Sequence, residues 1–166
     1  HIQFIYNLLR TANVEVQSEG WHFNRERHVP FQPDANHHII IPADVVRIDL
    51  PDNWARRHYN FVRRNGRLYD KIEHTDEFPD IAESIELDVV RIYNFEDVPQ
   101  VFKTHITYRA SRQAATQLVA NPQLVQLLAQ SEALSRASVM EYECNQGNHS
   151  MMGFEDETSY QTYQPW

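Results

Sequence analysis

Apolar residues recur at helical spacing from the start of the chain: Ile2, Ile5, Leu8, Leu9, Ala12 and Val16 fall on one stripe. The periodicity predicts a packing helix, and Gly20 is placed to end it. The texture then changes to short β-rich runs at 21–27, 38–41, 45–49, 59–62, 67–72 and 85–93, punctuated by Pro30, Pro33, Pro42, Pro51 and Pro79. Proline cannot donate to a strand ladder, so these runs predict a small, irregular antiparallel meander set between helices. Asn65-Gly66, with Phe61 and Val62 before it and Leu68 and Tyr69 after, supplies the positive φ angles of a type I′ hairpin.

Helical spacing returns in the C-terminal half. Glu96 and Asp97 ahead of Val98-Pro99 mark a helix start, and Phe102, Ile106, Ala110, Ala114 and Leu118 recur every fourth residue. Asn121-Pro122 breaks the chain, and Leu124, Leu127, Leu128, Leu134, Ala137, Met140 and Cys144 form a second stripe ending near Gly147. Each helix is predicted to run about 22 residues, or ~33 Å, and so short a break pairs them as an antiparallel hairpin. Alanines at 110, 114, 115, 129, 133 and 137 let helix axes approach closely, which favours bundle or subunit contacts over a ligand cavity. The expected class is therefore α+β. Residues 1–20 and 96–147 form a helical bundle, residues 21–95 an inserted β-rich subdomain, and residues 148–166 an extended tail without periodicity.

A chain of 166 residues fits one domain and buries roughly two-thirds of its unfolded surface, enough for a true core. The single cysteine, Cys144, has no second cysteine for an internal disulfide or a Cys-based zinc site, which suits a reducing compartment. Apolar runs such as 39–41 are far too short to span a bilayer, no signal peptide is recognisable, and no membrane partner is expected. The chain opens at His1 inside an already amphipathic pattern, so a further N-terminal segment is expected before it. The net charge of −8 disfavours gripping DNA phosphates but is compatible with a wall past which DNA slides.

Candidate chemistry is sparse. His37 and His38 are adjacent, so a strand would point them to opposite faces; His22, Glu26 and His28 share a face but fit no compact zinc spacing. No metal or other cofactor is expected. The acids Glu73, Asp76, Glu77, Asp80, Glu83, Glu86 and Asp88 could hide a glycosidase pair, although nothing in their spacing enforces the roughly 5–10 Å separation that chemistry needs. Ser111, Ser131 and Ser135 sit in predicted helices and not at a nucleophile elbow, and there is no phosphate-binding glycine loop. No catalytic residue is assigned. The cluster Arg56, Arg57, Arg63, Arg64, Arg67 and Lys71 surrounds Trp54, His58, Tyr59 and Phe61 and straddles the Asn-Gly turn. It suits an acidic partner subunit first, with nucleic acid or a simply solvated hairpin as alternatives.

Six segments in order then resemble one family. Val16-Gln17-Ser18-Glu19-Gly20-Trp21-His22-Phe23-Asn24 is similar to a signature of the tail tubular protein A family, the adaptor or gatekeeper of short-tailed bacteriophages. Ile41-Pro42-Ala43-Asp44 with Arg47-Ile48-Asp49, Asn65-Gly66-Arg67-Leu68-Tyr69-Asp70, and the run from Leu87 to Glu96 with Val98-Pro99 resemble later parts of that family. So do Tyr108-Arg109-Ala110-Ser111-Arg112 and Met140-Glu141-Tyr142-Glu143. The resemblance covers residues 8–152 and departs from the family after Met152.

The resemblance implies a ring of about twelve copies in the virion tail, assembled in the bacterial cytoplasm, joining a portal protein above to a nozzle (tail tubular protein B) below. Tail fibres attach nearby, and double-stranded DNA passes through without sequence-specific binding. Twelve copies at −8 each would carry roughly −96 along such a ring. On this reading Phe102, Ile106, Ala110, Ala114, Leu118, Leu127, Leu134 and Ala137 pack the ring wall. Arg56, Arg57, Tyr59, Arg63, Arg64, Arg67 and Tyr69 meet nozzle or fibres, and Phe154, Tyr160, Tyr163 and Trp166 reach the portal. An envelope-glycan hydrolase and a head-completion protein of another phage type are the competing readings.

Overall fold

The computed structural model describes residues 1–51, 59–81 and 83–146. In chain order these form α1 (Ile2–Gln17), β1 (Arg25–Phe31), β2 (Val45–Asp49), β3 (Phe61–Arg64), β4 (Arg67–Asp70) and β5 (Ile85–Arg91). A 3-10 turn (Phe95–Asp97), α2 (Gln100–Leu118) and α3 (Pro122–Gln146) follow. Helices with small antiparallel sheets make the chain α+β, as the periodicities predict. It divides into two compact units, residues 14–97 in one and residues 1–13 with the chain from Val98 onward in the other.

In the first unit the three-stranded sheet has the order β1-β5-β2, and β3-β4 is a separate two-stranded ribbon. The expected meander is therefore corrected: the last strand lies in the middle. The physical reason is burial, since Ile85, Leu87, Val89 and Val90 are all buried while β1 and β2 each have a largely exposed pattern. Pro30 is accommodated because β1 is an edge strand, and both ladders shift register, at Glu26/Val29 and at Val45/Arg47. The run at 38–41 makes one isolated bridge, Ile40 with Arg67, instead of a strand. Residues 21–24 turn instead of extending, because the Asn24 and Arg25 amides both donate to the Trp21 carbonyl. Phe31, Ile39, Ile41, Phe61, Leu68, Phe78 and Leu87 belong to one apolar core on which sheet and ribbon are laid.

Asn65 (φ 52°) and Gly66 (φ 73°) both take positive φ between Arg64 and Arg67, the geometry expected of the type I′ hairpin.

In the second unit α2 and α3 pack as the expected antiparallel hairpin: Phe102 stands edge-on to Tyr142 with ring centroids 5.9 Å apart, His105 meets Ser135 and Arg112 meets Glu132. Asn121 caps α3, its Oδ1 accepting from the Gln123 and Leu124 amides at 3.1 and 3.2 Å, with Pro122 in the first helical position. The α3 residues turned inward are Val125, Leu128, Glu132, Ser135, Val139 and Tyr142, spaced alternately by three and four. The apolar stripe read from the sequence is corrected accordingly, for Leu124, Leu127, Leu134, Ala137, Met140 and Cys144 are exposed. The stripe on α1 is likewise covered only at its end: Ala12 and Val16 are buried, whereas Ile2 and Ile5 are exposed.

Candidate assembly surfaces

The segment from Val16 to Asn24 builds a polar clasp inside the β-rich unit. Gln17 is fully buried and reads the Tyr93 backbone twice: its Nε2 donates to the Tyr93 carbonyl at 2.9 Å and its Oε1 accepts from the Tyr93 amide at 2.8 Å. Asn24, also fully buried, donates to the Gln17 carbonyl at 2.7 Å and the Arg91 carbonyl at 2.9 Å. It accepts from the Trp21 amide at 2.7 Å, and the Trp21 indole donates to the Val16 carbonyl at 2.6 Å. The end of α1 is thus tied to the end of β5 by two side-chain amides, each satisfying buried backbone groups that would otherwise lose water without replacement. Gly20 (φ +79°) makes the turn, and a Cβ there would stand 2.8 Å from Arg47 Nη2 and 3.1 Å from Val90 Cγ2.

An ionic layer continues this clasp. Arg91 reaches Glu26 at 3.2 Å and Asp44 at 3.0 Å, and the Tyr93 hydroxyl donates to Glu26 at 3.1 Å. Burial works against the Arg91 charge, but the hydrogen bonds to Asp44 and Glu26 outweigh it and raise its pKa. Burial raises the Tyr93 hydroxyl too, reinforced by its bond to Glu26. Nothing in the apolar pattern points to Gln17 or Asn24; the signal in the sequence was the resemblance of the whole run from Val16 to Asn24 to a family signature.

Of the residues expected to meet nozzle or fibres, Arg56 and Arg57 lie outside the described residues, as do Trp54 and His58. The others gather at the β3-β4 ribbon. Arg64 lies over the Tyr69 ring, 4.0 Å from its centroid, and Tyr59 stacks on Phe61 at 4.9 Å. Arg63 donates to the Val45 carbonyl at 3.0 Å, while Arg67 is half-buried and donates to Asp76 at 3.3 Å. Arg63 and Arg64 remain exposed beside the Asn65-Gly66 turn, and that is the surface the ribbon offers.

Among the described residues His38, Asp76 and Glu77 have possible ligand atoms within 4.8 Å of one another. The Arg67 guanidinium sits in that group, 3.4 Å from His38 Nε2 and 3.3 Å from Asp76 Oδ2, and supplies the positive charge itself. Of the other acids of the 73–88 stretch, Glu86 pairs with the His28 ring at 3.0 Å and Asp88 accepts the His28 amide at 3.0 Å, while Glu73, Asp80 and Glu83 are exposed. Among the described residues, a cleft of about 170 Å³ between Ile48, Leu50, Tyr59, Phe61 and Leu87 is lined by one carboxylate, Asp49.

Of the residues assigned to the ring wall, Phe102, Ile106 and Ala110 are buried within the helical unit and Ala114 is half-buried. Leu118, Leu127, Leu134 and Ala137 are exposed, with Leu127 at 61% and Leu134 at 72%. Buried His105 bonds Ser135 at 2.8 Å; because the Ser135 hydroxyl donates to the Glu132 carbonyl at 2.7 Å, the His105 Nδ1–H must be the donor. Its Nε2 is buried without a hydrogen-bond partner. The residues assigned to the portal, Phe154, Tyr160, Tyr163 and Trp166, and the helix stop at Gly147 lie outside the described residues. No described helix is long and apolar enough to cross a membrane.

Comparison with protein families matches residues 2–149 to the family described as "Tube: Tail tubular protein". Comparison with curated proteins finds no match.

Proposed function

The chain belongs to the tail tubular protein family, a structural family of the phage virion tail, and within it we propose that this protein forms the adaptor, or gatekeeper, ring. The ring, of about twelve copies, joins portal to nozzle and surrounds the channel through which DNA leaves the particle. The observation that carries this reading is the helical hairpin. Its inward seam already satisfies α2 against α3, yet α3 keeps a second side on which Leu127 and Leu134, seven residues apart, stand in water. A helix apolar on two sides is built to be covered twice, once by its own chain and once by another.

Charge supports the rest. The net −8 repels DNA phosphates and keeps a passing duplex from adhering, while exposed Arg63 and Arg64 offer a local cationic edge to nozzle or fibres. The segment 148–166, which carries Phe154, Tyr160, Tyr163 and Trp166, meets the portal in this scheme. Electron microscopy of the particle, or native mass spectrometry of the chain bound to its portal, tests the proposal by copy number and neighbours. A chain found away from the portal-to-nozzle junction, or present in a few copies instead of a closed ring, would overturn it. Arg63→Glu with Arg64→Glu should abolish nozzle binding, and truncation after Gly147 should weaken portal binding; unchanged binding refutes each assignment separately.

A further inference from the structure

Among the described residues, two apolar faces in the helical unit stand exposed, and they differ in character. On α1, Ile2 (89% exposed), Ile5 and Tyr6 stand in water with Leu9 half-buried beside them, and exposed Arg10 follows. On α3 the face through Leu134 and Ala137 runs on to exposed Glu141. Neither Arg10 nor Glu141 has a charged partner among the described residues.

We propose that neighbouring copies of this chain join through these two faces, α1 of one lying parallel to α3 of the next, with Arg10 paired to Glu141. The inference rests on the ring reading and names the surfaces that close it. A ring requires a heterologous contact between two different patches, whereas the α3 face meeting its own copy about a two-fold axis stops at a dimer and leaves the α1 face wet. Spacing and charge set the direction. Ile2 to Arg10 rises about 12 Å and Leu134 to Glu141 about 10 Å, so a parallel pairing that brings Arg10 to Glu141 also brings Ile2 to Leu134. Between those ends the bulky Ile5 and Tyr6 face the small Ala137 and Ser138, a fit of large against small that lets the helices approach. The antiparallel alternative would set Ile2 on Glu141 and the Arg10 guanidinium on leucine, desolvating both charges unpaired.

The test uses the full chain and its two single-face variants, Ile5→Glu and Leu134→Glu, in sedimentation and native mass spectrometry across a wide concentration range. Wild type should form oligomers, each variant alone should be monomeric, and an equimolar mixture should yield two-subunit complexes, because one intact contact can form but no ring can close. Circular dichroism checks that the variants fold. As a milder probe, Arg10→Glu and Glu141→Arg should each weaken association about tenfold, and the double exchange should restore it. Self-association by Leu134→Glu or Ile5→Glu alone, no complex in the mixture, or no recovery in the double exchange would each overturn the contact. If Ile5→Glu still builds a complete ring on the portal, the contact falls and the ring reading stands; if wild type builds none, both fall.

Discussion

Replacing Asn24 with aspartate exchanges one atom group at the centre of the clasp and keeps its shape. The Oδ1 that accepts from the Trp21 amide at 2.7 Å survives, but the Nδ2 that donates to the Gln17 and Arg91 carbonyls, at 2.7 and 2.9 Å, becomes an oxygen facing two oxygens. Two hydrogen bonds are lost at about 0.5–1.5 kcal/mol each, and a buried acceptor left without its donor adds about 1–3 kcal/mol. The Gln17 carbonyl keeps the Gly20 amide at 3.1 Å, which favours the lower half of that range. The expected loss at neutral pH is therefore about 2–5 kcal/mol, or a melting midpoint lower by about 10 °C for a chain of this size.

Protonating the new carboxyl restores a donor to one of the two carbonyls. Its folded-state pKa must then lie above the ordinary unfolded value of about 3.9, so the penalty is small below pH ~4 and grows as pH rises toward the folded value. Urea unfolding of both proteins between pH 4 and 8 measures this as a difference, cancelling groups they share. An Asn24→Asp protein as stable as wild type at pH 7, or a penalty that does not shrink at low pH, would refute the clasp as the lock between α1 and β5.

Other expectations follow from the same packing. Gly20→Ala should cost about 1–3 kcal/mol in thermal unfolding, since its φ of +79° strains any L side chain and the new Cβ meets Arg47 and Val90; an unchanged midpoint would mean the turn is free to relax. For His105, burial and then the charge of Arg136, with Arg109 acting likewise, lower the pKa although Glu132 opposes them. A depressed histidine makes its contribution fully present above the unfolded value near 6.5 and lost as pH falls from there through the folded value. Wild type should thus become less stable over that window, and His105→Gln should flatten the dependence in a denaturation series; a slope equal to wild type would place the titration elsewhere.

Much of the fold was legible because it depends on local chemistry. Gly20, Asn65-Gly66 and Asn121-Pro122 act through their own φ preferences, missing donors and side-chain caps, so they punctuate the chain wherever it sits. The two C-terminal helices and their pairing also follow from near-neighbour spacing and a short connection. The segment of the clasp, Val16 to Asn24, stood out by resemblance, but its bonds were not legible. Gln17 and Asn24 act on Tyr93 and Arg91, far along the chain, and a polar side chain among polar neighbours gives no periodic signal. Strand order was hidden for a related reason, since only assembly puts the strand most buried along its length, Ile85–Arg91, at the centre.

The α3 helix shows the division most clearly. Sequence determined that it is a helix with an apolar stripe, because periodicity and capping are properties of the segment itself. Tertiary structure decided which face the chain keeps. Arg112 pairs with Glu132 and His105 with Ser135 across the hairpin, so a seam carrying two polar residues turns inward and the leucine stripe is left in water. A charged pair desolvated together can occupy a seam that neither partner alone could, and that compensation exists only once two distant segments meet.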